Sequence, residues 1–359
     1  MTERSLLRSR QQELELDPPL RNARAEWRSR RTLIVEIHDG AGHIGQGEAA
    51  PLPGYSLDTL AAAEQALAAI PAAELQRLLQ LEQPEALLSA AAALVPAELP
   101  SARFALETAL LDRLGQMRQR PLWSTLGALL PAAVLPASEL PLCVLLSSAE
   151  PALALREAVQ HFRLGVRCFK LKIGPDRLQP AQARLLAAVR AELGEDIMLR
   201  LDANQSLLRA ELRATFDTLA RYRPEFVEEP VSEPRPGELD ALSCGWALDE
   251  SLQRSEPKRI EALASSSACR ALVLKPTALG GFGRCVELAA QARALGKAVV
   301  VSHTFEGTAG WLACAHLAIA LGPGPAAGLW PMAGGGVCPA VVHAGKLQAP
   351  QRLGLGLEP

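Results

Sequence analysis

The chain has 359 residues, 49% apolar and 21% charged, with a formal net charge of −2. That balance belongs to a globular protein with a real core, long enough for one large α/β barrel or two ordinary domains. Near-neutral charge gives no electrostatic case for nucleic acid or an anionic membrane, and 4% aromatic residues leave few platforms for stacking bases.

The opening MTERSLLRSR lacks an apolar core of signal-peptide length and a cleavage pattern after it. Arg28, Arg30 and Arg31 form the densest basic cluster and read as a solvated or loop-borne group rather than a nucleic-acid patch. RTLIVEIHD alternates as a strand, and AGHIGQGEAAPLPGYS follows as a Gly/Pro-rich return and loop. From Asp58 to Leu99 the chain is rich in Ala, Leu and Glu, as in a helical layer broken at Pro71 and Pro84. SARFALETALLDRLGQ predicts an amphipathic helix with Ser101 as its N-cap. LLPAAVLPASELP then marks a boundary near residue 137.

Beyond it the rhythm changes. LPLCVLLSS reads as a strand, a helix follows over Pro151 to Phe162, and VRCFKLKIG is the next strand. The helix QPAQARLLAAVRAELG leads to the strand IMLRLDA, and the helix LLRAELRATFDTLARY leads to EFVEEP. Short helices are expected before GWALDES and before CRALVLKP. RCVELAAQARALG is helical, stops at Gly296, and gives way to AVVVSH. LGGFG reads as a βα turn rather than a phosphate loop. Alternation with one period argues for a parallel sheet. Seven or eight units in about 190 residues suit a closed barrel better than an open doubly wound sheet, the structural alternative. The expected division is an α+β capping domain over 1–137, joined by the tail 331–359, and a (β/α) barrel over 138–330.

The longest uncharged run, Gly307 to Val342, is interrupted by His316 and by Gly and Pro, so it is no membrane span. Seven scattered cysteines without C-x-x-C spacing favour a reducing cytoplasm and small core residues over a disulfide framework or a cysteine zinc site.

Several apolar strands end in charge. Lys170 and Lys172 are two apart in FKLKIG, so on a strand they point to one face, and buried lysines need partners. LRLDAN ends on Asp202, FVEEP on Glu228 and Glu229, WALDES on Asp249 and Glu250, and LVLKP on Lys275. Steps of 30, 26, 21 and 26 residues from Lys172 through Asp202, Glu228 and Asp249 to Lys275 are each about one βα unit. In a barrel such exits share one rim, where catalytic groups gather. Each exit alone has a bland reading: a turn-forming Asp, a solvated Glu pair, an ordinary Lys-Pro exit. Five at a steady spacing outweigh it. Three carboxylates suit Mg²⁺, and a lysine on either side is placed for proton transfer to a substrate held there. Lys172 as a base needs a lowered pKa, which the Lys170 ammonium, a cation and desolvation would supply. The metal would stabilise the enediolate formed when a proton leaves the carbon next to a carboxylate.

With these motifs together the chain resembles the enolase superfamily, in its muconate-lactonising branch, and within that branch o-succinylbenzoate synthase. The K-x-K at Lys170 and Lys172, LRLDAN, FVEEP, LDES and LVLKPT match that family's successive strand-end motifs. GEAAPLPGYS, Gly47 to Ser56, resembles the loop that closes over its substrate, and the similarity spans roughly residues 21 to 330. The resemblance implies an α/β fold, a (β/α)7β modified TIM barrel with an α+β capping domain. It implies Mg²⁺, with Mn²⁺ as a substitute, on Asp202, Glu228 and Asp249, and Asn204, Glu229 and Glu250 behind those ligands. Lys172 would be general base and then general acid. Lys275 would stand on the opposite face, steadying the enediolate or the ring, and Lys170 would tune Lys172 and touch the substrate carboxylate.

The implied reaction is the syn-dehydration of 2-succinyl-6-hydroxy-2,4-cyclohexadiene-1-carboxylate to 2-succinylbenzoate, a step towards menaquinone or phylloquinone driven by aromatisation. The alternative is racemisation of N-acylamino acids, with Lys172 and Lys275 as bases on opposite faces. AAGLWPMAGGGV lacks the D-x-D of the dipeptide epimerases, and the N–H groups of Gly334 to Gly336 can admit a carboxylate. Tyr55 and the PLPG loop would shape specificity and exclude water. Ser302 and His303, at the seventh strand end, would border the substrate. His303 either contacts the succinyl carboxylate or is hydrogen-bonded at the strand exit. The expected partner is a small carboxylate substrate, with no nucleic acid, no membrane and no oligomeric state specified. A non-catalytic barrel would be expected to lose a ligand or a lysine, and all five are intact.

Overall fold

A computed structural model describes residues 6–21, 26–148, 150–174, 180–331 and 341–358. Gly334 to Gly336 lie outside the described residues. The chain opens on an antiparallel sheet of β1 (Leu7–Arg21), β2 (Glu26–His38) and β3 (Ile44–Ala49), in that order. Only part of β2 and none of β1 was expected. The sequence of β1 is charged and its pairing with β2 shifts between Glu15 and Leu20, around Pro18 and Pro19, which lack the N–H a ladder needs. Alternation on β2 buries Leu33, Val35 and Ile37.

Helices α1 (Leu60–Ala68), α2 (Ala72–Leu79), α3 (Pro84–Leu94), α4 (Pro100–Met117) and α5 (Leu122–Leu126) follow. Pro71 caps α2 and Pro84 opens α3, where a missing N–H costs nothing. Ser101 is not the N-cap of α4. Leu99 holds that position, and Ser101 donates through its N–H and Oγ to Asp58 Oδ2 at 2.9 and 2.6 Å. The helix lies hard against β3: a methyl on Gly45 or Gly47 would sit 1.9 Å from Ala109 O or 2.0 Å from Ala105 O. Arg30 is a second correction. Rather than solvated, it is 2% exposed and donates from Nη2 to Ala50 O (2.7 Å) and from Nη1 to Pro51 O (2.9 Å), with longer bonds to Thr304 O and Phe305 O.

After β4 (Glu139–Pro141), strands and helices alternate: β5 (Cys143–Leu145), α6 (Pro151–Arg163), β6 (Cys168–Lys172), α7 (Pro180–Leu193), β7 (Met198–Asp202), α8 (Leu212–Ala220), β8 (Phe226–Glu228). Then come β9 (Trp246–Leu248), α9 (Ser251–Arg254), α10 (Pro257–Ala264), β10 (Cys269–Leu274), α11 (Pro276–Leu279), α12 (Phe282–Ala294), β11 (Ala298–Val301) and α13 (Thr308–Ala320). The short helix expected before GWALDES is absent, and turns fill that stretch, which carries two prolines and a glycine. Gly296 ends α12 in the left-handed conformation, as expected.

β5 to β11 form one parallel sheet in sequence order. Residues 327 and 328 join its edges: Ala327 bridges to Leu142 and Gly328 to Ser302, with Ala327 N donating to Pro141 O and Gly328 N to Val301 O. That segment is the last strand of a (β/α)7β barrel and removes the open-sheet alternative. The tail adds β12 (Val342–His343) and β13 (Lys346–Gln348), the latter pairing with β4. Leu355 N donates to Asp112 Oδ1 on α4 at 2.7 Å, so the tail also reaches the first helices. Among the described residues no helix is long and apolar enough to cross a membrane.

Candidate active site

Register builds the site. Lys172 pairs with Asp202 and Asp202 with Glu228 across β6, β7 and β8, so the three side chains share one level. Asp249 and Lys275 follow β9 and β10 directly. Glu229 turns the chain at a φ of 40° and Asn204 at 43°, conformations that a non-glycine residue holds only where its surroundings enforce them. Around Glu229 those surroundings are plain: its carboxylate accepts from Asp249 N (2.8 Å), Ser251 N (3.1 Å) and Ser251 Oγ.

The structure brings the five strand-end groups together. Lys170 Nζ lies 2.9 Å from Asp202 Oδ2 and 2.7 Å from Glu228 Oε1. Lys275 Nζ donates to Asp249 Oδ2, lies 3.8 Å from Glu228 Oε1, and sits 4.8 Å from the centre of the Tyr55 ring. Tyr55 Oη donates to Asp249 Oδ1 at 2.8 Å. Asn204 Nδ2 donates to Glu250 Oε1 at 3.2 Å, while Glu250 Oε2 is buried with no partner among the described residues.

Lys172 is different. It lines the cavity, and its ammonium has no hydrogen-bond or ion-pair partner among the described residues. Burial pushes its pKa down and the Lys170 and Lys275 ammoniums add to that, against the pull of Asp202. Burial would lower Lys170 and Lys275 too, but neighbouring carboxylates hold both above the ordinary lysine value. Among the acids, burial would raise Asp202, yet the three lysines bring it to about 2. Burial first, and neighbouring carboxylates after it, push Glu228, Glu229 and Glu250 up to about 7. The reason is a charge shortage: five buried carboxylates face three ammoniums.

As the side chains stand, no three Asp, Glu, His or Cys among the described residues converge on a metal position, because Lys170 and Lys275 bridge Asp202, Glu228 and Asp249. The donor set nevertheless fits a hard divalent cation. It is all oxygen, it lacks two positive charges, and it leaves Glu250 Oε2 orphaned.

A cavity of about 310 Å³ opens above this cluster. Tyr55, Ser302 and His303, expected at the substrate, all line it. His303 Nδ1 accepts from Phe305 N at 3.1 Å, which places the proton of the neutral ring on Nε2. Burial pushes its pKa down to about 4, with Lys275 and Lys170 adding and Glu306 opposing. His303 is therefore hydrogen-bonded at the strand exit, and it borders the cavity. Leu16, Trp27, His161 and Trp330 also line it and were not singled out from sequence. Leu16 and Trp27 belong to the cap sheet, whose reach over the barrel has no local signature.

The family described as Enolase C-terminal domain-like matches residues 154–359, and the family described as MenC, N-terminal domain, matches residues 13–113. The o-succinylbenzoate synthase of Thermosynechococcus vestitus is 34% identical over 244 residues, 66% of each chain. That of Yersinia enterocolitica is 31% identical over 311 residues, 84% of this chain and 82% of the relative. Among solved structures, a dipeptide epimerase from Methylococcus capsulatus, complexed with Mg and the dipeptide L-Arg-D-Lys, is 27% identical with a TM-score of 0.83 over 98% of both chains. The muconate lactonizing enzyme of Pseudomonas fluorescens, 22% identical, shares the fold at a TM-score of 0.85 over 98% of this chain and 95% of the other.

Proposed function

The chain belongs to the enolase superfamily, and from that premise we propose that it is an o-succinylbenzoate synthase, converting 2-succinyl-6-hydroxy-2,4-cyclohexadiene-1-carboxylate to 2-succinylbenzoate. The observation that carries the reading is Lys172, the half-buried ammonium at the cavity wall near Lys170, without a partner among the described residues. Unprotonated, its Nζ takes the proton from the carbon bearing the carboxylate. The ammonium so formed then gives a proton to the departing hydroxyl on the same face, as a syn elimination requires.

Lys275 lies four strands round the barrel from Lys172 and is held charged by Asp249, so it offsets negative charge growing in the ring from the far side. Lys170 keeps Lys172 weakly basic and presents charge towards the substrate carboxylate. Asp202, Glu228 and Asp249 would hold Mg²⁺ or Mn²⁺, with Asn204, Glu229 and Glu250 orienting them. The cation, when bound, offsets charge on the substrate carboxylate as the proton leaves. Tyr55 and Leu52 wall the cavity from the cap side and exclude water. The relatives named o-succinylbenzoate synthase and the match to the MenC N-terminal domain support this choice of reaction.

A second reading, racemisation of N-acylamino acids, rests on the placement of Lys172 and Lys275 on opposite sides of the barrel. The two are separated by mixing Mg²⁺-loaded protein with the cyclohexadiene carboxylate and following loss of diene absorbance, with an EDTA control. Metal-dependent aromatisation supports the synthase. No turnover by protein that binds Mg²⁺ overturns it in favour of racemisation.

A further inference from the structure

Below the lysines the barrel holds chemistry that the proposed reaction does not use. Cys143 on β5 and Cys168 on β6 are register partners on neighbouring parallel strands. Together with Ala326 they form a small buried cluster apart from the main core. Neighbouring strands run about 4.8 Å apart, inside the roughly 4.4–6.8 Å Cα separation of a disulfide. Both thiols are free.

The pair is asymmetric. Cys143 lines the substrate cavity and Cys168 does not. The Cys168 thiol, and after it the charges of Arg200 and Lys170, hold the Cys143 thiol below its ordinary value against burial and Glu225. Cys168 is pushed well above. Arg200 is fixed there by bonds to Glu225 Oε2 (2.7 Å) and Ala326 O (2.6 Å). A cavity-lining thiol held down, register-paired with a second thiol pushed up, is the arrangement of an attacking and a resolving cysteine. By contrast Cys244 and Cys269 are pushed up to about 12 by burial, and neither these nor Cys285 and Cys314 line the cavity.

We propose that Cys143 and Cys168 are a peroxide-reactive pair, reached through the substrate cavity, whose disulfide stops turnover. Cys143 thiolate attacks a peroxide oxygen; the S–O bond forms, the O–O bond breaks, and hydroxide leaves to become water. Cys168 sulfur then attacks the sulfenic sulfur; the S–S bond forms, the S–O bond breaks, and a second water leaves. Two electrons pass from the thiols to the peroxide. Closing the bond resets the spacing and twist of β5 and β6 two residues before Lys170 and four before Lys172. A displacement of about 1 Å there costs on the order of 10²-fold in turnover.

The test treats full-length Mg²⁺-loaded protein with dilute hydrogen peroxide, blocks remaining thiols, and maps peptides by mass spectrometry, with turnover read before and after dithiothreitol. Expected are a Cys143–Cys168 cross-linked peptide and a turnover loss of about 10²-fold that dithiothreitol reverses. Cys168→Ala should instead yield a Cys143 sulfenic acid trapped by dimedone. Cys143→Ala should keep its own untreated rate after peroxide. The proposal falls if Cys143 stays reduced, if the cross-link forms with turnover unchanged, or if Cys143→Ala is inactivated as wild type is. The cross-link readout does not depend on which reaction the enzyme catalyses.

Discussion

At the residue scale, the five charged strand ends were legible because each βα unit returns the chain to the same rim, so spacing alone groups them. Their contacts were not. Lys170 bridging Asp202 and Glu228, and Tyr55 donating to Asp249 across 194 residues of sequence, depend on how strands pair and how the cap closes. His316 lay in an uncharged run and carried no signal. It is fully buried, its Nδ1 accepts from Trp123 N at 3.0 Å, and burial pushes its pKa to about 4. The unfolded chain binds a proton near pH 6.5 that the folded one refuses. The stability this neutral ring contributes is therefore complete above that value and lost as pH falls towards 4, by about 3 kcal/mol. Unfolding free energies from urea titrations of wild type and His316→Gln should converge by that amount between pH 6.5 and 4; parallel curves would refute it.

At the scale of elements, helix starts were readable where proline opens them, as at Pro84, Pro151 and Pro257. Two barrel helices start instead with carboxylates lent by the cap. Glu48 on β3 accepts from Gly307 N and Gly310 N at 2.8 and 2.9 Å at the start of α13, and Glu107 on α4 accepts from Phe282 N at 2.6 Å on α12. No local pattern announces a cap from another domain. Gly281 is part of the second contact, since a methyl there would lie 2.2 Å from Glu107 Oε2. Burial pushes Glu107 up to about 8, so the folded state resists its ionisation and stability falls as pH rises from about 4.5 to 8. Glu107→Gln, which keeps an acceptor oxygen, should lose that slope. Glu107→Ala should cost about 1–3 kcal/mol by stranding buried donors. Melting temperatures of the three proteins across this pH range decide it, and an unchanged slope in Glu107→Gln would count against the burial.

At the scale of the whole molecule, the barrel was legible from its period, and its closure through residues 327 and 328 was not, since so short a strand has no alternation to read. The cap sheet was half-hidden because β1 is charged and exposed along much of its length. Among the groups that join the halves is Arg30, whose guanidinium reaches carbonyls on the cap loop at Ala50 and Pro51 and on the barrel loop at Thr304 and Phe305. The first loop leads to Tyr55 and the second leaves His303. A lysine has no planar fork to span both loops. Arg30→Lys should therefore lower kcat/KM by about 10²-fold through misplaced walls while Mg²⁺ binding by calorimetry is kept. Lost metal binding would mean that Arg30 holds the fold instead.

The account as a whole stands on Lys172 as the proton-transferring group of a metal-dependent synthase. Its most direct test is turnover of the cyclohexadiene carboxylate by wild type and Lys172→Ala in the same Mg²⁺ buffer, with Mg²⁺ binding and circular dichroism on the same samples. The predicted result is a fall of at least about 10²–10⁴-fold with folding and metal binding retained. A folded Lys172→Ala that binds Mg²⁺ and still aromatises the substrate at the wild-type rate would contradict it.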